Sequence, residues 1–203
     1  LNTGLSNTAS SGSIRVKSGA ASSQQSGSVS LNGGAGQTTG GSVHVVSGSS
    51  TTLSSGKVQI QTGESSSAGS GEVTMQSGST TEEQSGTTTI SSGASSTSSS
   101  GDIQLVVSEG QSEGGSVHVS AGFSNVMTGG SVNTVTGSSA SGHSGSIQVE
   151  SRASPVDSGF VDIHTGASSA GSSGSIKMES GTSGTGQSGT VSLVAGNGDG
   201  EGG

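Results

Sequence analysis

The stretch Gly56–Gly63, which reads GKVQIQTG, decides the fold expected for this chain. Its two apolar side chains, Val58 and Ile60, alternate with polar neighbours between two glycines. Successive side chains of an extended chain point to opposite sides, so this alternation is typical of a half-buried β-strand. We call each such stretch a phrase, its first glycine the leading glycine, and its last the closing glycine.

The phrase recurs along the chain at near-constant spacing. Its 13 copies are separated by nine intervals of 15 residues and three of 14, and return segments of six or seven residues rich in Ser, Thr, Ala and Gly join them. Such fixed self-similarity is the signature of a repeat architecture. The leading glycines are Gly12, Gly27, Gly41, Gly56, Gly71, Gly86, Gly101, Gly115, Gly130, Gly145, Gly159, Gly174 and Gly189.

Two apolar columns run through the copies. The second residue after the leading glycine is a β-branched aliphatic in twelve of 13 phrases, and the fourth is apolar in all but one. These shapes suit a pleated surface, so this side of the phrase is expected to face inward. The predicted core ladder includes Val29, Val43, Val58, Val73, Ile60, Leu105, Val119, Ile147, Ile163 and Ile176.

A repeat this short predicts a specific fold class. It leaves no room for an α-helical crossover, which takes about a dozen residues, and identical phrases do not supply the distinct second strand of a hairpin. The sequence therefore predicts an all-β fold, a single-stack parallel β-solenoid of about 13 coils of 14–15 residues, continuous over residues 1–203. The phrase positions at both ends predict a segment of a longer repeat chain. Closing glycines are expected at corners that need positive φ or tight packing.

The composition of the chain limits the classes of partner that it is expected to bind. The chain has 203 residues, of which 40 are Gly and none is Cys, and its net charge is -8. Without the strict repeat, so few large apolar residues would predict disorder. With five Lys and Arg in total there is no basic stripe to displace counterions from phosphates, which argues against nucleic acid. No run of 18 apolar residues is present to span a membrane.

The pattern [SG]-G-x-[VI]-x-[VILM]-x-[ST]-G with Ser/Thr-rich spacers resembles the Ser/Gly repeat regions of secreted cell-surface and matrix proteins, such as those of diatoms and related microalgae. In architecture it is also similar to the small-coil β-solenoids of bacterial fibre adhesins and insect antifreeze proteins. The resemblance covers Leu1 to Gly196. It implies an extracellular, structural or adhesive setting, and it carries over no catalytic residue.

Two groups of polar residues are candidate sites. Asn197, Asp199 and Glu201 place oxygen donors at alternate positions, like the opening of a calcium loop, so Ca²⁺ is the one cofactor considered, with a solvated acidic turn as the alternative. Stacking of the coils in register would also bring one cluster of polar residues together. This cluster is interpreted either as a metal or pH-sensitive site or as an exposed ladder of charges, and the exposed ladder is favoured. This cluster comprises Glu150, His164 and Glu179 in one column, with Asp162 and Lys177 beside them.

Two short strings match enzyme motifs but are interpreted as turns. Gly110–Gly114 fits G-x-S-x-G, and Gly184–Gly189 fits G-x-G-x-x-G. Both motifs need a following helix to place a nucleophile or a phosphate, whereas here each string runs into another phrase. In so Gly-rich a chain such matches are expected by chance.

The predicted function is that of a structural extracellular fibre, sheath or matrix protein that is not an enzyme. Its expected partners are copies of itself or further repeats, end to end or side by side, together with glycans or matrix. The alternative is a module that binds ice or glycan through its Ser/Thr side, for example at Ser50, Ser65, Ser95 and Ser139. A third class, a polysaccharide-cleaving enzyme of β-helix type, finds no support beyond the polar cluster.

Overall fold

A computed structural model describes residues 2–4, 6 and 10–197. Within these ranges there is no helix and no strand. The phrases run without turns, and each of the 12 return segments contains one bend. The bends lie at 22–24, 37–38, 51–53, 66–68, 81–83, 96–98, 111–112, 125–127, 140–142, 155–156, 169–171 and 184–186.

The predicted all-β parallel solenoid is wrong, because the described phrases do not pair into a sheet. The inward face expected for the apolar columns is not formed either, since no described residue is buried. Every member of the predicted core ladder is exposed: Val29, Val43, Val58, Val73, Ile60, Leu105, Val119, Ile147, Ile163 and Ile176.

The backbone hydrogen bonds explain why stacking does not occur. A stack of coils needs contact between residues 14 or 15 apart, whereas the bonds present join residues only seven or eight apart, and approaches between distant residues are rare. Burial of two aliphatic side chains per repeat would also stabilise the stack too little to offset the conformational entropy that is lost when so many glycines are ordered. Glycine loses more backbone freedom on folding than any other residue. The chain therefore closes local loops.

Each local loop joins the two ends of one return segment. The amide of the leading glycine donates to the carbonyl of the preceding closing glycine, which folds the segment back on itself. The N···O distances are 3.2 Å for Gly27 to Gly19, 2.7 Å for Gly41 to Gly34, 2.9 Å for Gly56 to Gly48, 2.9 Å for Gly130 to Gly122 and 3.1 Å for Gly145 to Gly137.

Several leading glycines, but none of the described closing ones, sit where an added side chain would be crowded. A methyl carbon added at Gly130 would lie 3.1 Å from the amide nitrogen of Gly122 and 3.3 Å from the Cβ of Ala121. A methyl carbon added at Gly122 would meet nothing within 4 Å. No described glycine has positive φ, so the expectation for closing glycines is corrected: the close approach belongs to the next leading glycine.

Substitution of these two glycines is expected to separate their roles. Gly130→Ala should open the loop that is closed between Gly122 and Gly130. The new methyl group would crowd the backbone of Gly122, whose atoms cannot shift without moving the adjoining chain. The matched variant Gly122→Ala should leave the loop closed. The temperature coefficient of the residue-130 amide proton, measured by NMR, reports its hydrogen bond in both variants. Equal effects of the two substitutions would contradict this assignment.

The most covered side chains lie beneath the leading glycines. The Cβ of Ser18 lies 3.3 Å from the position that a Cβ of Gly27 would take, and the Cβ of Thr136 lies 3.2 Å from that of Gly145. A small residue before the closing glycine thus packs against the next leading glycine. Five such residues are half-buried: Thr3, Ser18, Ser47, Thr62 and Thr136.

The chain divides into two units, Leu1–Ile103 and Gln104–Gly203. In the first unit, three loops close between glycines, at Gly19–Gly27, Gly34–Gly41 and Gly48–Gly56. In the second, the same closure occurs at Gly122–Gly130 and Gly137–Gly145. Each unit therefore contains phrases joined by bent return segments, and some of those segments, five of the 12 in all, are closed between glycines.

Candidate functional site

The polar side of each phrase forms its own side-chain contacts. Residues at the third and fifth positions after the leading glycine pair with one another, as Gln59 does with Gln61 and Gln148 with Glu150, the latter at 2.8 Å. Side chains two apart lie on one side of an extended chain. These pairs therefore indicate that the phrases are extended, with their polar groups on the side opposite the apolar columns.

The structure distributes the predicted polar cluster over separate phrases. His164 Nδ1 lies 3.2 Å from Asp162 Oδ1, and Lys177 Nζ lies 2.7 Å from Glu179 Oε2. Glu150 instead contacts Arg152, whose Nε lies 3.9 Å from its carboxylate. Each pair is formed within one phrase or its adjoining return segment. All three contacts are exposed, and the two exposed ion pairs, Lys177 with Glu179 and Arg152 with Glu150, typically contribute about 0–1 kcal/mol each.

The candidate calcium ligands are only partly described. Asn197 is exposed, whereas Asp199 and Glu201 lie outside the described residues. Among the residues that are described, no group of three or more His, Cys, Asp or Glu side chains is placed to hold a metal ion.

The two motif-like strings lie in return segments. Gln111 and Ser112, inside G-x-S-x-G, form the bend of one segment, and residues 184–186 of G-x-G-x-x-G form the bend of another. The amide of Gly186 donates to Ser183 Oγ at 2.9 Å. No helix follows either string within the described part of the chain. Neither string therefore has the strand-to-helix geometry that its enzyme motif needs.

Sequence reasoning missed the structural role of one hydroxyl column. The second residue after the closing position is Ser or Thr in nine of the 12 return segments, and each of these hydroxyls accepts a hydrogen bond from a backbone amide two or three residues later. Such hydroxyl-to-amide bonds stabilise turns. The acceptors are Ser50, Ser65, Thr80, Ser95, Ser124, Ser139, Ser154, Ser168 and Ser183.

The remaining three segments carry Ala21, Gly36 and Gly110 at this position, so they have no hydroxyl there. The recurrence of Ser or Thr at one fixed place in the other nine was the available signal. Ser50 and Ser139 are among the hydroxyls expected to face a ligand, whereas their oxygens accept from the amides of Leu53 and Gly142 at 3.0 and 2.8 Å.

Removal of one such hydroxyl is expected to loosen its loop. Ser139→Ala deletes the acceptor for the Gly142 amide, and a net hydrogen bond is worth about 0.5–1.5 kcal/mol, so the equilibrium constant for closing the loop should fall about two- to tenfold. Ser139→Thr keeps the acceptor and should retain the loop. Ser138→Ala is the matched control. NMR temperature coefficients of the Gly142 and Gly145 amides give the readout, and an unchanged Ser139→Ala loop would contradict the role.

The two apolar columns of the phrases are exposed, each to its own characteristic degree. Side chains in the second column are 47–59% exposed, and those in the fourth are 62–83% exposed. The same values recur in both units, so the phrases present one surface many times over. We call this surface, made of the second and fourth positions of each phrase, the apolar side; Val58 and Ile60 form it in the phrase quoted first.

The described part of the chain offers no enclosed site. It contains no cavity, and none of its residues form a helix of the length and apolarity needed to cross a membrane. Neither family models, curated proteins nor solved structures give a match to this chain.

Proposed function

We propose that this chain is a structural, non-catalytic repeat protein of the extracellular matrix or cell surface that associates with copies of itself. One observation carries the proposal: almost every one of the 13 phrases, at near-equal spacing along the chain, presents an exposed pair of apolar side chains. An array of identical surfaces suits repeated attachment along a chain, because linked weak contacts add through effective concentration. The resemblance to secreted Ser/Gly repeats supports the extracellular setting.

The alternative, a module that binds ice or glycan through its hydroxyls, is less well supported. Ice binding needs a flat and regular array of hydroxyl groups. Here the return segments are bent, and nine of them use one hydroxyl to accept a backbone amide. We therefore expect no thermal hysteresis from the purified protein in a nanolitre osmometer.

Localisation of the native protein tests the proposed function. Antibodies raised against two separate segments should place immunogold label in the material outside the plasma membrane of the cells that produce the protein. Agreement between the two antibodies controls for cross-reaction. The protein should also remain with the insoluble matrix fraction on extraction with buffer. Label confined to the cell interior would overturn the proposal.

A further inference from the structure

We infer that the apolar side of each phrase is the surface on which a second copy of this chain docks, phrase against phrase. This inference deepens the proposed function, on which it rests, by naming the surface and its occupant. Two independent properties of the phrases lead to it, namely their uncovered aliphatics and their unpaired backbone.

The aliphatics are the first property. In several phrases, polar groups on the other side have partners within their own phrase, as with Lys177 and Glu179 at 2.7 Å. The aliphatics opposite them are 47–83% exposed, and no described residue of the chain is buried. Contiguous exposed apolar surface typically marks an interaction site.

The backbone is the second property. In the part of the chain that the structure describes, backbone-to-backbone hydrogen bonds are confined to the loop closures between glycines. The amides and carbonyls between Lys57 and Gln61 are therefore unpaired with other backbone groups. An extended segment in this state offers both edges to another extended segment, and main-chain hydrogen bonds then add to side-chain contacts.

The area available is sufficient for a stable complex. A fully exposed aliphatic side chain has roughly 100 Å² to remove from water. The side chains here are 47–83% exposed, so each has about 60 Å² left to bury. Two facing phrases then bury about 250 Å², and about six or seven such pairs of phrases reach the roughly 1,600 Å² of a standard interface. Thirteen phrases are present, so the surface exceeds this requirement without contributions from the return segments.

The spacing of the phrases indicates which molecule docks on their apolar sides. A partner that covers several apolar sides at once must carry matching surfaces at intervals of 14 or 15 residues, and a second copy of this chain carries them by construction. Single phrases bind weakly, but successive phrases on one chain act at high effective concentration. The net charge of -8 opposes association of two copies, so added salt should strengthen it by screening.

Sedimentation velocity of the purified full chain over a dilution series tests the inference. We expect concentration-dependent association that strengthens with salt. The apolar-side variant Val58→Ser/Ile60→Ser/Val73→Ser/Met75→Ser should associate about tenfold more weakly, since four of the contributing aliphatics are lost. The matched polar-side variant Gln59→Ser/Gln61→Ser/Thr74→Ser/Gln76→Ser should remain within about twofold of the parent. The temperature coefficient of the Gly56 amide checks that the adjoining loop is intact in all three proteins.

The outcomes are distinct. A chain that stays monomeric throughout, an equal loss in both variants, or association that weakens with salt would each overturn the inference. Association of the pure protein combined with native label inside the cell would remove the proposed function and leave the docking surface standing. Native label in the matrix combined with a strictly monomeric pure protein would remove the docking surface and the self-association, and would leave the extracellular structural role standing.

Discussion

A calorimetric scan of the dilute chain is expected to show no cooperative unfolding peak. Globular proteins absorb about 0.7 kcal/mol per residue on unfolding near 60 °C, which for a folded chain of 203 residues would be about 140 kcal/mol. That heat comes from the disruption of a packed core. No described residue of this protein is buried, so the expected signal is a smooth heat-capacity trace.

The scan needs a concentration at which the copies do not associate, because dissociation also absorbs heat. The apolar-side variant Val58→Ser/Ile60→Ser/Val73→Ser/Met75→Ser is the control, and its trace should coincide with that of the parent. A single sharp peak that persists on dilution and shifts to lower temperature in the variant would show that these aliphatics form an intramolecular core. Such a core is incompatible with an exposed apolar side.

Trypsin is expected to cut the native chain at all of its basic residues almost as fast as it cuts the denatured chain. Proteolysis of a folded protein follows the small open fraction, which slows cleavage by many orders of magnitude. Here each of the basic residues is exposed and none lies in a helix or strand, so rates in buffer and in dilute urea should agree within about threefold. The five sites follow Arg15, Lys17, Lys57, Arg152 and Lys177.

A small peptide substrate in the same tubes corrects for the effect of urea on trypsin itself, and mass spectrometry assigns each cut. Lys177 should be the slowest of the five by a small factor, because its ammonium lies 2.7 Å from the Glu179 carboxylate. Strong protection of Lys57, which lies inside a phrase, would be incompatible with an extended and uncovered segment.

The sequence predicted the local conformation better than the fold. Alternation around Val58 and Ile60 predicts an extended phrase with two chemically different sides, and the contact between Gln59 and Gln61 agrees with it. The Ser/Thr-rich return segments were also separated correctly from the phrases, since each contains one bend. Both features depend on a few neighbouring residues, which the sequence specifies directly.

The arrangement of one phrase relative to the next was not predictable in the same way. Alternation defines an apolar side but does not say what covers it, and the 15-residue period fits a stack of coils as well as a row of separate loops. The decisive contact, Gly56 to Gly48 at 2.9 Å, joins residues eight apart. A pattern search at the repeat period does not detect a contact at about half that period.

The predicted polar cluster depended on the predicted fold. Glu150, His164 and Glu179 form a group only if stacked coils place them in one column, and without the stack each pairs within its own stretch of chain. The hydroxyl column was detectable in principle, because Ser or Thr at the second position of a turn is a known acceptor for a later amide. A regular column of hydroxyl groups also suits a ligand-binding surface, and the sequence alone does not distinguish that role from hydrogen bonding to a backbone amide within the turn.

Residue-resolved hydrogen exchange by NMR on the dilute monomer tests the central claim most directly, namely that the chain consists of extended, exposed phrases joined by bent return segments, five of which are closed between glycines. Slowed exchange is expected only at the loop amides, such as Gly56 and Gly142, while Val58 and Ile60 exchange at the rate of an unstructured peptide. Protection of Val58 and Ile60, together with nuclear Overhauser contacts between Ile60 and Met75 in the next phrase, would contradict that claim.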